Sequence, residues 1–258
     1  MLGAVAGDII GSVYERLPVK TMEFALFEPG SCFTDDTVLT VATACSILEK
    51  RTYAESFRTF GRMYLDAGYG GAFLQWIFDP VSKPYNSWGN GAAMRVSPVG
   101  FAFETVEEVL REAGKTAEVS HNHPEGIKGA QATALAVFLA RTGASKERIR
   151  EEISTRFGYD LSRTIDQIRP DYAFDVSCRG TAPEAIIAFL DSTDYEDGVR
   201  RAVSLGGDSD TLACIAGGIA QAFYGEVPGP IAREARRRLP EKFLDIIDRF
   251  DAAYPPKK

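Results

Sequence analysis

Residues 206–224 read GGDSDTLACIAGGIAQAFY, and this stretch decides the fold. Its start, Gly206-Gly207-Asp208-Ser209-Asp210-Thr211, carries the acidic and hydroxyl side chains that favour a helix N-terminus. It runs straight into apolar residues from Leu212 to Tyr224 at helical spacing. Residues 33–51 repeat the plan. Phe33-Thr34-Asp35-Asp36-Thr37 leads into Val38, Val41, Ala42, Cys45 and Leu48, three or four apart, with Lys50-Arg51 near the far end. The same periodicity covers residues 130–141 and 182–190, while 147–157 and 231–250 are more polar, as surface helices are. Pro124 and Pro183 stand near the starts of two such stretches, where a missing N–H costs little. Sustained alternation of Val, Ile, Thr and aromatics is absent, and no βαβ rhythm appears. The expectation is an all-α fold of many short-to-medium helices. No linker tract or fixed-period repeat divides the chain, so residues 1–258 are expected to form a single domain.

The bulk properties narrow the function. A chain of 258 residues can bury a substantial core. A net charge of -7 argues against a broad nucleic-acid footprint, which needs clustered Lys and Arg, yet leaves room for a small phosphate-bearing ligand. No apolar run approaches the roughly 20 residues that span a bilayer. The N-terminal segment Met1-Leu2-Gly3-Ala4-Val5-Ala6-Gly7-Asp8 lacks the basic start of a signal peptide, and Asp8 interrupts it. Cys32, Cys45, Cys178 and Cys214 form no CxxC pair, which points to reduced thiols. A cytoplasmic protein is expected.

The two acidic clusters admit two readings. Asp, Ser and Thr cap helices, and negative charge suits the positive end of a helix dipole. One Asp suffices for that. Four carboxylates with several hydroxyls, all opening into Ala- and Gly-rich helices, concentrate negative charge where the helices enter the core, an expensive arrangement unless cations neutralise it. Hard divalent cations take such oxygen ligands, and the spacing is not that of an EF-hand. The pair of clusters therefore points to a divalent-metal centre, Mg2+ foremost.

Five segments in order then carry a resemblance: Gly7-Asp8 with Gly11-Ser12-Val13-Tyr14-Glu15; Thr34-Asp35-Asp36-Thr37; Gly89-Asn90-Gly91-Ala92-Ala93-Met94-Arg95; Ser120-His121-Asn122-His123; and Gly206-Gly207-Asp208-Ser209-Asp210-Thr211. Together they resemble the ADP-ribosylglycohydrolase family over almost the whole chain. The resemblance implies a compact orthogonal multi-helix domain with a binuclear metal centre, two Mg2+ or Mn2+, at the bottom of an ADP-ribose cleft. It implies Thr34, Asp35 and Asp36 as metal ligands on one side and Asp208, Asp210 and Thr211 on the other, with Asp210 bridging. Glu15 corresponds to an acidic residue on a flap near the metals. The loop holding Ser87, Trp88, Gly89, Asn90, Gly91 and Met94 would wrap the diphosphate and distal ribose. The implied reaction is hydrolysis between ADP-ribose and an acceptor, a protein side chain or a small conjugate, with Glu15 or Asp36 as general acid or base. The alternative is a catalytically inactive ADP-ribose-binding or structural member of the same fold, and the full ligand set argues for the enzyme.

Other residues keep two readings. Glu15 is also an ordinary solvated acid, and Asn90-Gly91 an ordinary turn. Arg95 suits either a phosphate or an internal salt bridge. His121 and His123, the chain's only histidines, alternate along the segment and so do not share one ion; His121 is read as lining the cleft. Trp88 and Tyr69 could stack on adenine or pack in the fold.

Overall fold

The computed structural model describes residues 1–79, 81 and 83–255. Among them the regular elements are all α-helices. The elements are α1 (Leu2–Gly11), α2 (Asp35–Glu49), α3 (Tyr53–Met63), α4 (Gly71–Phe78), α5 (Gly91–Met94), α6 (Ser97–Ala102), α7 (Val106–Glu118), α8 (Pro124–Arg141), α9 (Lys146–Phe157), α10 (Ile165–Ile168), α11 (Cys178–Leu190), α12 (Tyr195–Val203), α13 (Ser209–Tyr224), α14 (Gly229–Arg237) and α15 (Glu241–Ala253). A lone antiparallel bridge joins Gly89 to Ser177.

The centre of the fold is α13. Every residue from Ser209 to Ala222 is buried, and α1, α8, α11 and α12 pack around it. The tightest partner is α1, itself buried along its whole length. Gly3, Gly7 and Gly11 fall on one face of α1, four residues apart. A Cβ on Gly7 would lie 2.0 Å from the Ala213 carbonyl oxygen, and one on Gly3 would lie 2.5 Å from that of Gly217. Backbone therefore meets backbone, and the obstacle is not a side chain that can rotate away. Gly7→Ala is expected to cost about 3 kcal/mol, the upper range for overpacking. Denaturant unfolding reads this directly, and a loss below about 0.5 kcal/mol, the scale of an innocuous surface change, would contradict the packing.

Two expectations need correction. The stretch 231–250 is not one helix but two, because Pro240 lacks an N–H and biases the preceding residue away from helical geometry; it stands as the N-cap of α15. The helix expected from 182 starts instead at Cys178, where the Ser177 side chain accepts from the Gly180 N–H. Pro183 thus lies inside α11 rather than at its start. Elsewhere the caps explain the boundaries. Thr52 and Thr164 form capping boxes with Glu55 and Gln167, and α9 ends at Gly158 with φ 66°.

Residues 12–34, between α1 and α2, have no helix and are held by cations on their own carbonyls. Arg200 donates to the carbonyls of Met22 (3.1 Å) and Phe24 (2.8 Å), and Arg238 to that of Ser31 (3.1 Å). Lys20 reaches the other way, donating to the carbonyls of Arg169, Tyr172 and Leu205 at 2.8, 2.5 and 2.5 Å. No helix among the described residues is long and apolar enough to cross a membrane.

Candidate active site

The first turns of α2 and α13 open into one cleft of about 640 Å³, a volume that fits a small-molecule ligand. Thr34, Asp35, Asp36, Asp208, Asp210 and Thr211 all line it, as do Glu15, Ser87, Gly89, Asn90, Gly91, Met94 and His121. The two acidic clusters, more than 170 residues apart in sequence, meet where the Thr211 hydroxyl donates to Asp36 Oδ2 at 3.3 Å. Glu15, Asp208 and Asp210 each offer an oxygen, and the three lie within 4.8 Å of one another.

Capping and charge concentration coexist here. Thr34 is the N-cap of α2 and its side chain accepts from the Asp36 N–H. Asp208 is the N-cap of α13 but makes no side-chain cap bond there. Its Oδ2 instead accepts from the Asn90 amide at 2.7 Å, and Asn90 Nδ2 also donates to Thr181 at 3.1 Å. The Asn90 side chain thus holds the Asp208 carboxylate.

Asp8 is the site residue that the sequence reading left without a role. It sits on α1, wholly buried, behind the cleft wall. Its carboxylate accepts from the backbone N–H of Thr34 and of Thr37, each at 3.0 Å, and from both hydroxyls, at 2.7 Å from Thr34. A carboxylate from one helix therefore caps another and fixes the Thr34 side chain. The available signal was a lone charge inside an otherwise apolar helix, a position that demands a partner.

The electrostatics disfavour charge on these carboxylates in the absence of cations. Burial is the largest cause of every shift. It raises Asp8 to about 6 despite its hydrogen bonds. Asp35 rises to about 8, through burial and then the charges of Asp8 and Asp208. Asp36 and Asp210 are pushed well above the ordinary carboxylate range by burial and by neighbouring carboxylates. Glu15, half-buried, is raised by burial and then by Asp208. Asp36 Oδ1 is buried with no hydrogen-bond partner among the described residues. A buried carboxylate oxygen left unpaired amid like charges is what a hard cation satisfies, and the donors are all oxygen, so the residues fit a divalent metal.

Other residues resolve differently from their first readings. Trp88 is not among the residues that line the cleft: the residue is 58% exposed and its ring packs edge-on against His123 at 5.6 Å. The loop is pinned to the start of α11 by the bonds Asn90 N–H to Val176 O (2.7 Å) and Cys178 N–H to Trp88 O (2.9 Å), and Gly89, Asn90 and Gly91 line the cleft. Ser87 Oγ accepts from the Gly89 N–H at 3.1 Å. The Met94 carbonyl accepts from Thr40 at 3.3 Å, tying the loop to α2. Tyr69 is buried and stacked on Phe73. Arg95 has no carboxylate partner among the described residues; it is buried, donating to the Thr116 carbonyl and to Ser120 Oγ. His123 caps α8, its Nδ1 accepting from the Glu125 N–H.

Comparison with known proteins places the chain in a family. Residues 1–257 match the ADP-ribosylglycohydrolase family. The chain is 27% identical to ADP-ribosylhydrolase ARH3 of Bos taurus, across 87% of this chain and 84% of that protein. It is also 27% identical to ADP-ribosylarginine hydrolase Tri1 of Pseudomonas putida, across 87% of this chain and 69% of the relative. A solved structure described as an ADP-ribosylglycohydrolase-related protein complex superposes with a TM-score of 0.74 at 26% identity, covering 98% of this chain and 95% of that one. With the helical fold, the acidic cleft and the sequence in agreement along the chain, this protein belongs to the ADP-ribosylglycohydrolase family and is a hydrolase.

Proposed function

We propose that the cleft takes an ADP-ribosyl conjugate and hydrolyses the bond between the anomeric carbon of the proximal ribose and its acceptor, an ADP-ribosylated side chain or a small conjugate. The observation that carries the reading is the meeting of buried Asp36, Asp208, Asp210 and Thr211 with half-buried Thr34 and Asp35 in one cleft, in which Asp36 Oδ1 has no partner among the described residues. That many carboxylates, set on two helices, suits two Mg2+ or Mn2+ ions. Thr34, Asp35 and Asp36 from the start of α2 and Asp208, Asp210 and Thr211 from the start of α13 would hold them. When bound, such ions orient the vicinal ribose hydroxyls and make a water more acidic. Residues 1–258 act together as one domain, in keeping with a continuous apolar core from Met1 to Phe250.

The chain's own groups do the rest. The anomeric carbon becomes oxocarbenium-like as the bond breaks, so a proton must be taken from water and one given to the leaving group. Glu15 and Asp36 are the candidates. Glu15, with its pKa raised by burial and by Asp208, holds a proton more readily than an exposed Glu and borders the acidic cluster. The Gly89 and Asn90 N–H groups are already bonded to Ser87 Oγ and the Val176 carbonyl, so the diphosphate would meet this loop at the cleft-lining side chains of Ser87 and His121 and at Gly91.

Release of ADP-ribose from ADP-ribosyl-arginine, ADP-ribosyl-serine and O-acetyl-ADP-ribose, followed with Mg2+ present, tests the reading. At least one acceptor is expected to turn over, EDTA to bring the rate to background, and added Mg2+ or Mn2+ to restore it. Turnover that persists in EDTA would refute the metal scheme. Tight ADP-ribose binding without release from any acceptor would instead mark a non-catalytic reader.

A further inference from the structure

The loop that follows α1 brings Glu15 beside the acidic cluster. Oxygens of Glu15, Asp208 and Asp210 lie within 4.8 Å of one another, and carboxylates that close repel when ionised. The chain just before Glu15 is anchored. Tyr14 is buried, its hydroxyl donates to the Ala25 carbonyl at 2.5 Å, and its ring meets Phe24 edge-on at 4.8 Å. The three residues after Glu15 are exposed, Leu17 to 72%, and the Leu17 N–H bonds only locally, to the Val13 carbonyl at 3.2 Å. The next fixed point along the loop is Lys20.

The Lys20 ammonium has three protons and three acceptors, the carbonyls of Arg169, Tyr172 and Leu205. No backbone N–H among the described residues reaches any of these oxygens, so the ammonium is their partner. Leu205 stands three residues before Asp208, and the turn between them is clasped from two sides. A Cβ on Gly206, whose φ is 64°, would lie 2.9 Å from the Val19 carbonyl oxygen, and one on Gly207 would lie 2.4 Å from the Tyr172 ring. Residues 15–20 and 205–208 thus close a circuit, with Glu15 beside Asp208 at one end and Lys20 on Leu205 at the other. The rest of this joint does not depend on Lys20. Arg169 Nε donates to Ser204 Oγ at 2.9 Å, and Asn90 holds the Asp208 carboxylate. What Lys20 adds is the tie between the Glu15 loop and the Asp208 turn.

We propose that Lys20 is a positioning residue that clamps the loop 15–20 to the turn 205–208 and so holds Glu15 against the Asp208 carboxylate. That Glu15 moves a proton in hydrolysis rests on the function proposed above; the clamp itself does not. Arginine is a poor substitute for Lys20. The three carbonyls converge on one nitrogen, whereas a guanidinium spreads its protons over a plane. Lys20 is exposed, so the tie lies at the surface and its removal leaves the core intact.

Lys20→Met keeps most of the aliphatic stem and removes the three donors. In the full-length protein with Mg2+, it is expected to speed amide hydrogen exchange at residues 14–17 about 10-fold and to lower kcat about 10-fold, the scale of losing a hydrogen bond made by a charged group. KM for the ADP-ribosyl conjugate and the affinity for Mg2+ should stay within about 2-fold, a split that a general loosening of the fold would not give. In a Glu15→Gln background, Lys20→Met should lower kcat no further, because the clamp acts through Glu15. Wild-type exchange at 14–17 in Lys20→Met overturns the proposal, and so does a kcat loss that multiplies in full with that of Glu15→Gln. A fall in Mg2+ affinity as large as the fall in kcat also overturns it, by making Lys20 structural. A wild-type protein that hydrolyses none of the conjugates refutes the function proposed above, and the exchange rates then decide the clamp by themselves.

Discussion

Asp210→Ala is expected to lower turnover on the order of 10³-fold and to abolish the stabilisation that Mg2+ confers, while leaving the metal-free protein at least as stable as the wild type. The first two effects follow from the position of Asp210, on the first turn of α13 between Asp208 and the Asp36–Thr211 contact. The third follows from its burial. Without a cation, Asp210 is a buried carboxylate beside Asp208 and Asp36, and both burial and those neighbours disfavour its charge. Removing it relieves repulsion at the price of function, the trade seen where a site is built against local stability. Thermal melts with EDTA and with Mg2+, run beside the rate assay, separate the three effects. A metal-free variant that melts well below the metal-free wild type would show that Asp210 is structural. Wild-type turnover would place the chemistry elsewhere.

The second large effect is a pH dependence of stability that metal should erase. Asp8 moves from 3.8 to about 6 on folding, and Asp35 from 3.8 to about 8. Asp36 and Asp210 move in the same direction. For each, the folded state binds the proton more tightly than the unfolded chain, so stability is greatest below pH 4 on this account and falls as pH rises through the folded values. Asp8 alone contributes a loss on the order of 3 kcal/mol between pH 4 and 7, taking about 1.4 kcal/mol per pH unit. Metal-free protein should therefore melt lower at pH 8 than at pH 5. Divalent cations bind the ionised carboxylates, so the rise in Tm with saturating Mg2+ should be several-fold larger at pH 8 than at pH 5. A metal-free Tm that climbs from pH 5 to pH 8 would show that other groups neutralise the cluster.

Much of this site was legible in the chain because its signals are local. Thr34-Asp35-Asp36 and Asp208-Ser209-Asp210-Thr211 stand at the starts of helices whose apolar spacing is written in adjacent residues, so the helical class and the acidic clusters emerge together. Helix boundaries were less legible where proline acts in a context-dependent way. Pro240 separates two helices, while Pro183 is tolerated within one. Three glycines in ten residues make α1 a poor helix by propensity, and it forms because they allow the closest approach to α13.

What the sequence by itself determined was the all-α class, the two clusters of hard oxygen donors and the family to which they belong, because each depends on residue types within a few positions of one another. Tertiary structure alone decided which side chains share the cleft. Asp8 reaches Thr34 and Thr37 from another helix, Asn90 turns to Asp208, Trp88 turns out to solvent, and Arg95 reaches His121 through Ser120. Those contacts depend on how closely α1 meets α13 and on how the loop at residues 87–91 crosses the start of α11. Such geometry is set by packing across the whole chain, and no local pattern encodes it.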